Sequence, residues 1–171
     1  MTFELAEFDY YSPYLHKAVD VYCTVWGRNL EDSTTFFRKY ARMQHFVGYV
    51  ALVGGHVVGI AFGTASQAGQ WWHDKVSTHV GKNHHALANA WVLTELAVLQ
   101  PYRKHNIGSA LHDKVLEQQP FPNVLLSTQV DNVKAREFYE KRHWTYLHRG
   151  FSFQKNRPNY CIMHRAMPHA S

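Results

Sequence analysis

The chain has 171 residues, of which 46% are hydrophobic, 15% aromatic and 18% charged. At roughly 150 residues per domain this is most simply one domain over residues 1–171 around a single core, and disordered, collagen-like and low-complexity classes are excluded. Eighteen Lys and Arg against 13 Asp and Glu give a formal net charge of +5, which favours anionic partners: nucleic acid, an anionic membrane surface or a phosphorylated small molecule.

Alternation over residues 3–9 predicts a first strand. Ser12-Pro13 marks a helix start, with Ser12 at the N-cap and Pro13 in the first turn, and Leu15, Ala18, Val19, Tyr22 and Trp26 follow at helical spacing. A second helix is expected from Asp32 or Ser33, burying Phe36, Phe37, Tyr40 and Met43. Residues 46–53 and 56–63 flank Gly54-Gly55, a two-residue hairpin signal. Residues 64–85 are polar and rich in Gly and His, either a functional loop or the seat of a short helix. Residues 91–99 read as a central strand, apolar on both faces except at Thr94 and Glu95. Pro101 closes it, and Ile107, Ala110, Leu111 and Val115 lie on one face of a helix running to about residue 119. A strand over 124–130 follows, then a helix from Asn132 to about Arg142 that turns Ala135, Phe138 and Tyr139 inward, then strands over 145–153 and 160–166. This order implies an α/β (α+β) fold, a mixed sheet with helices on both faces.

The longest nearly unbroken apolar stretch, Ala86 to Leu99, contains Asn89, Thr94 and Glu95 and falls short of the roughly 20 residues of a bilayer span. The N-terminus lacks the basic start and apolar middle of a secretory signal, so a cytoplasmic protein is expected. Cys23 and Cys161 lie far apart in apolar runs, which suggests small buried hydrophobes rather than a disulfide or zinc site. His73, His79, His84 and His85 fall in one loop without HExxH or Cys/His spacing, so no metal is expected. The chain also lacks GxxxxGK-Ser/Thr and GxGxxG, which excludes a P-loop NTPase and a Rossmann dehydrogenase.

The segment Tyr102-Arg103-Lys104-His105-Asn106-Ile107-Gly108-Ser109-Ala110 leads from a strand into a helix and places positive charge where first-turn N–H groups point outward, a ready anion site. On its own it reads equally as an ordinary helix start with solvated basic residues. The wider arrangement carries more: Glu-Leu-Ala-Val-Leu-Gln-Pro-Tyr-Arg, then Arg-Lys-His-Asn-Ile-Gly-Ser-Ala-Leu, then a strand, then Asn132-Val-Lys-Ala135-Arg-Glu-Phe138-Tyr139 and on to Trp144. It resembles the GNAT superfamily of N-acetyltransferases, most specifically over residues 91–147, also over 46–63 and 160–166, and thinly before residue 45 and from 64 to 90. The family motif has glycine where Asn106 stands, and Asn both tolerates positive φ and caps helices. His143-Trp144 takes the place of the family's Gly-Phe.

The resemblance implies a mostly antiparallel sheet of about seven strands and direct transfer of an acetyl group from acetyl-CoA, a co-substrate, to a primary amine of a small molecule or peptide. It implies that backbone groups of Leu96, Ala97 and Val98 bond the pantetheine arm along a splayed strand. The backbone of Lys104, His105, Asn106, Ile107, Gly108 and Ser109 would hold the phosphates, assisted by the Arg103 and Lys104 side chains. Asn132 would cap its helix or bond the arm, Ala135 would leave space for it, and Tyr139 would protonate the leaving thiolate unless it merely packs in the core. Glu95 is the candidate base, because burial would raise its pKa towards neutrality, or else it pairs with a histidine or a substrate cation. Trp71, Trp72 and His73 form either a lid over the acceptor or a buried satellite cluster. The expected partners are acetyl-CoA and an amine acceptor, with no nucleic acid and no membrane, and with a homodimer left open. The alternatives are a non-catalytic acyl-CoA sensor on the same fold and, ranked last, a nucleic-acid binder, for which no reader motif is present.

Overall fold

In a computed structural model, residues 1–117 and 119–168 are described. The strands are β1 (Glu4–Glu7), β2 (Val47–Val53), β3 (His56–Ser66), β4 (Ala90–Val98), β5 (Asn123–Gln129), β6 (Thr145–Ser152) and β7 (Asn159–Ala166). The helices are α1 (Leu15–Trp26), α2 (Leu30–Ala41), α3 (Trp71–Val80), α4 (Ile107–Leu116) and α5 (Val133–Glu140). The strands form one mostly antiparallel sheet in the order β1-β2-β3-β4-β5-β7-β6. Its β4–β5 pair is parallel, with Ala90, Trp91 and Val92 in register with Asn123, Val124 and Leu125.

The chain gathers into two compact units, residues 1–64 with 93–119, and residues 65–92 with 120–171. In the first unit, Gly54 (φ 56°) and Gly55 (φ 82°) supply the two left-handed residues that a tight β2–β3 hairpin needs. The hairpin register slips between Ala51 and Leu52, leaving Val58 as an extra residue whose carbonyl accepts the Leu99 N–H at 2.9 Å. Phe8, Val19, Phe37, Ile60 and Phe62 form the buried core.

Two helix starts differ from expectation. Ser12 precedes α1 instead of capping it: its hydroxyl accepts from the Tyr14 N–H at 3.1 Å and its carbonyl from the Leu15 N–H at 3.2 Å. In α2 the cap is Asn29, whose side chain accepts from the Asp32 N–H at 3.0 Å, so the helix begins ahead of Asp32 and encloses Ser33.

In the second unit, the segment expected as a loop or an unplaced short helix contains α3. His73 and His79 therefore stand on a helix, while His84 and His85 open a short 3-10 turn. Val76, Leu125, Phe151 and Ile162 are buried together, and Trp72 and Phe153 pack against them. Cys161 is buried, Cys23 is partly buried, and both are free thiols. Among the described residues no helix is long and apolar enough to cross a membrane, and no group of three or more His, Cys, Asp or Glu is placed to hold a metal ion.

Candidate active site

The first unit carries Glu95 and the turn over residues 103–109 on one continuous stretch of chain. Glu95 is the one ionisable residue of β4 and is partly buried there. Its Oε1 accepts the indole N–H of Trp26 at 2.9 Å. Burial pushes the Glu95 carboxyl up to about 7, against the Trp26 hydrogen bond, a hydrogen bond from the Leu96 N–H and the charge of Arg28, all of which pull it down. Desolvation thus outweighs three stabilising contacts and leaves a carboxyl poised between its two protonation states at neutral pH. Its side-chain partner is an indole, not the histidine that the sequence reading left open. Trp26, which follows at helical spacing in α1, is 43% exposed.

Beyond β4 the chain makes a short 3-10 turn over Gln100–Tyr102, and Arg103 ties the turn back through its Nε, which donates to the Val98 carbonyl at 2.9 Å. Lys104 and Asn106 both take φ 66°, the left-handed region. Asn106 therefore does what glycine does in the family motif, although its side chain makes no cap hydrogen bond, contrary to one half of the sequence expectation. Residues 103–106 are exposed, whereas Ile107 is buried and anchors the helix start. Ala110 donates to the Asn106 carbonyl at 3.0 Å and closes the first turn of α4. The result is an exposed, strongly curved backbone opening a helix, with a lysine and a histidine on the curve, and its donor set suits a diphosphate.

Gly59 on β3 explains how closely α4 lies against its own unit. A Cβ there would come within 3.0 Å of Leu111 Cδ1, 3.3 Å of Ile107 Cγ2 and 3.4 Å of the Ala97 carbonyl. Gly59 thus lies against both the Ala97 carbonyl of β4 and the Ile107 side chain that opens α4.

The second unit carries the other predicted residues. The Asn132 side chain accepts from the Ala135 N–H at 3.2 Å, which is the capping role. Tyr139 is 8% exposed and meets Phe138 and Trp144 edge-on, with centroids at 5.2 and 5.7 Å. Past α5, His143 takes φ 69° where the family has glycine. Trp72 packs on Phe153 and donates to the Ser127 hydroxyl at 3.2 Å, and buried His73 shares a 2.8 Å hydrogen bond with Ser66. Trp72 belongs to the packed cluster of this unit and His73 is buried, while Trp71 is 52% exposed.

The sequence profile of the acetyltransferase (GNAT) family matches residues 2–144. The chain belongs to the GNAT acetyltransferase family. The match reaches back well before residue 45, where the motifs were thin. A GCN5-like protein acetyltransferase of Mycobacterium tuberculosis is 27% identical over 122 residues, 66% of this chain and 59% of that protein. The chain thus corresponds to less than two thirds of that relative's length. Among solved structures, an aminoglycoside 6'-acetyltransferase type Ii superposes with a TM-score of 0.70 at 19% identity, covering 98% of this chain and 99% of that one. A chain of the NatC complex bound to Gag peptide and CoA superposes with a TM-score of 0.68 at 14% identity, covering 98% and 100%. These two likenesses concern the fold. Trp26 is the site residue that sequence reasoning missed, because the signal that marks it is a hydrogen bond to a residue 69 positions away.

Proposed function

We propose that this GNAT family member transfers the acetyl group of acetyl-CoA directly to a primary amine of a small molecule or peptide. The observation that carries the reading is Glu95, a carboxyl raised to about 7 on the strand that runs into the anion turn. A base that titrates at the working pH can both take and release a proton. The relatives named above include a protein acetyltransferase and an aminoglycoside acetyltransferase, so the acceptor class is left at amine.

The curved backbone of Lys104 to Ser109 would hold the diphosphate through N–H groups, with the Arg103 and Lys104 side chains adding charge. Backbone groups of Leu96, Ala97 and Val98 would align the pantetheine arm, and Asn132 and Ala135 would border it. Acetyl-CoA supplies the acyl group as an activated thioester. Glu95 takes a proton from the ammonium, the amine nitrogen bonds to the carbonyl carbon, the carbon–sulfur bond breaks as Tyr139 gives its phenolic proton to the thiolate, and the second proton shed by the acylated nitrogen restores the phenol. A phenol near 10 can protonate a desolvated thiolate whose own value rises above the usual 8.5 or so.

The test is thiol release from acetyl-CoA across an amine panel, repeated with Tyr139→Phe and Glu95→Gln. Amine-dependent release that falls in both variants is expected. A thermal shift with acetyl-CoA but no release with any amine would point instead to an acyl-CoA-binding module.

A further inference from the structure

We propose that Trp26 and Arg28 form, with Glu95, a recognition corner that selects an acceptor carrying a carboxylate as well as its primary amine. The inference rests on the acetyl-transfer reading and names the acceptor class for that site.

Three observations converge. First, Trp26 ends α1 and keeps 43% of its surface exposed even though its N–H is engaged by Glu95 Oε1 at 2.9 Å. The hydrogen bond fixes the edge of the indole and the carboxylate together, and the exposure leaves ring surface open to a ligand. An ammonium placed near that carboxylate would find an aromatic ring beside it, the arrangement that cation–π attraction rewards.

Second, the backbone reverses between Trp26 and Arg28. Gly27 is left-handed at φ 62°, and the N–H groups of Gly27 and Arg28 both return to the Cys23 carbonyl. A Cβ on Gly27 would meet nothing within 4 Å, so the turn faces open space. A tryptophan and an arginine are thus presented from one hydrogen-bonded reversal.

Third, Arg28 is exposed and its charge acts on Glu95. Beside a base that must receive a cation, an arginine is costly unless the acceptor also brings negative charge. A guanidinium matches a carboxylate through two parallel hydrogen bonds. A polyamine would instead meet Arg28 and a chain of net charge +5, with repulsion at both ranges.

Trp26 is, in addition, a positioning residue for Glu95. The groups acting on that carboxyl are the Trp26 indole on α1, the Leu96 N–H on β4 and Arg28 on the turn after α1. Removing the indole N–H while keeping an aromatic ring removes a contact that favours the ionised form, so Trp26→Phe moves the acidic limb of the rate profile to higher pH.

The experiment compares wild type, Trp26→Phe, Arg28→Gln and Arg28→Glu on γ-aminobutyrate, glycylglycine, glycinamide and putrescine. Thiol release and amine-induced thermal shift are both recorded, and unliganded melting checks the fold. Wild type is expected to prefer the two carboxylate-bearing amines in kcat/KM. Arg28→Gln should lower that preference about tenfold and Arg28→Glu should reverse it, through the KM for amine and with the KM for acetyl-CoA unchanged. A wild-type preference for putrescine, or a carboxylate preference unmoved in Arg28→Glu, overturns the corner, as does an acidic limb unmoved or lowered in Trp26→Phe. Absence of thiol release with every amine defeats the acetyl-transfer reading. In that case a carboxylate-dependent shift lost in Arg28→Glu upholds the corner, and its absence overturns the corner too.

Discussion

Glu95 ties function to stability with opposite signs, and that separates a base from a structural carboxylate. As a base it must be ionised to accept a proton, so the rate should rise with pH through about 7 and level off above it. Glu95→Gln keeps an oxygen for the Trp26 N–H and removes the titration, and turnover should fall by about 10² to 10⁴ with the acidic limb abolished. The same change removes a charge that the fold desolvates. The folded protein binds this proton more tightly than the unfolded chain, so burying the ionised form costs stability above pH 7 and little at pH 4.5. Glu95→Gln should therefore melt at a higher temperature than wild type at pH 8. A carboxylate held in place for structure would give the reverse, with melting lowered and turnover little changed. For Tyr139→Phe, loss of the phenolic proton should lower the turnover rate more than acetyl-CoA affinity, as read by steady-state kinetics beside a binding titration; an unchanged rate removes Tyr139 from the mechanism.

Among the elements, two positions show how backbone geometry serves the site. Gly59 lets β3 approach α4. A methyl group there would press on Leu111 at 3.0 Å and Ile107 at 3.3 Å, side chains that are 0% and 1% exposed. Gly59→Ala should cost about 1–3 kcal/mol by overpacking, and because Ile107 opens α4, acetyl-CoA affinity should weaken with it. Melting and isothermal titration read the two effects. His143, exposed at φ 69°, stands where a left-handed residue ends the turn after α5. Relief of left-handed strain outweighs the extra chain entropy of glycine, so His143→Gly should raise stability by about 0.5–1 kcal/mol in denaturant unfolding. What was legible in the sequence also sorts by element. The Gly54-Gly55 hairpin, the strand around Glu95 and the Asn132 cap were readable because their signals are local. α3 was not, because Gln70 offers no side-chain cap and Trp71-Trp72-His73-Asp74 has no clear apolar period. The role of Trp26 was not legible, because α1 stops there at Gly27 and its partner Glu95 lies 69 positions away in the chain.

For the molecule as a whole, the 13 histidines make acid the informative stress. Burial lowers the pKa of His73, with Asp74 opposing it, and burial followed by the charges of His85 and His84 lowers that of His164. His164 also meets the His85 ring at 6.2 Å and bonds Asn123 at 2.8 Å. For both groups the unfolded chain binds the proton more tightly, so their contribution to stability is present above about pH 6.5 and is lost as pH falls below it. Glu95 works the other way over nearly the same window, since its proton is favoured by the folded state between 4.5 and about 7. Wild-type melting should consequently decline only gently from pH 7.5 to 5. Glu95→Gln, stripped of the compensating group, should decline more steeply over that interval. His164→Gln, which keeps a hydrogen-bonding side chain near Asn123 and removes one charge from beside His84 and His85, should decline less. Melting temperatures of the three proteins across that range check the argument, and parallel curves would mean that none of these groups governs acid stability.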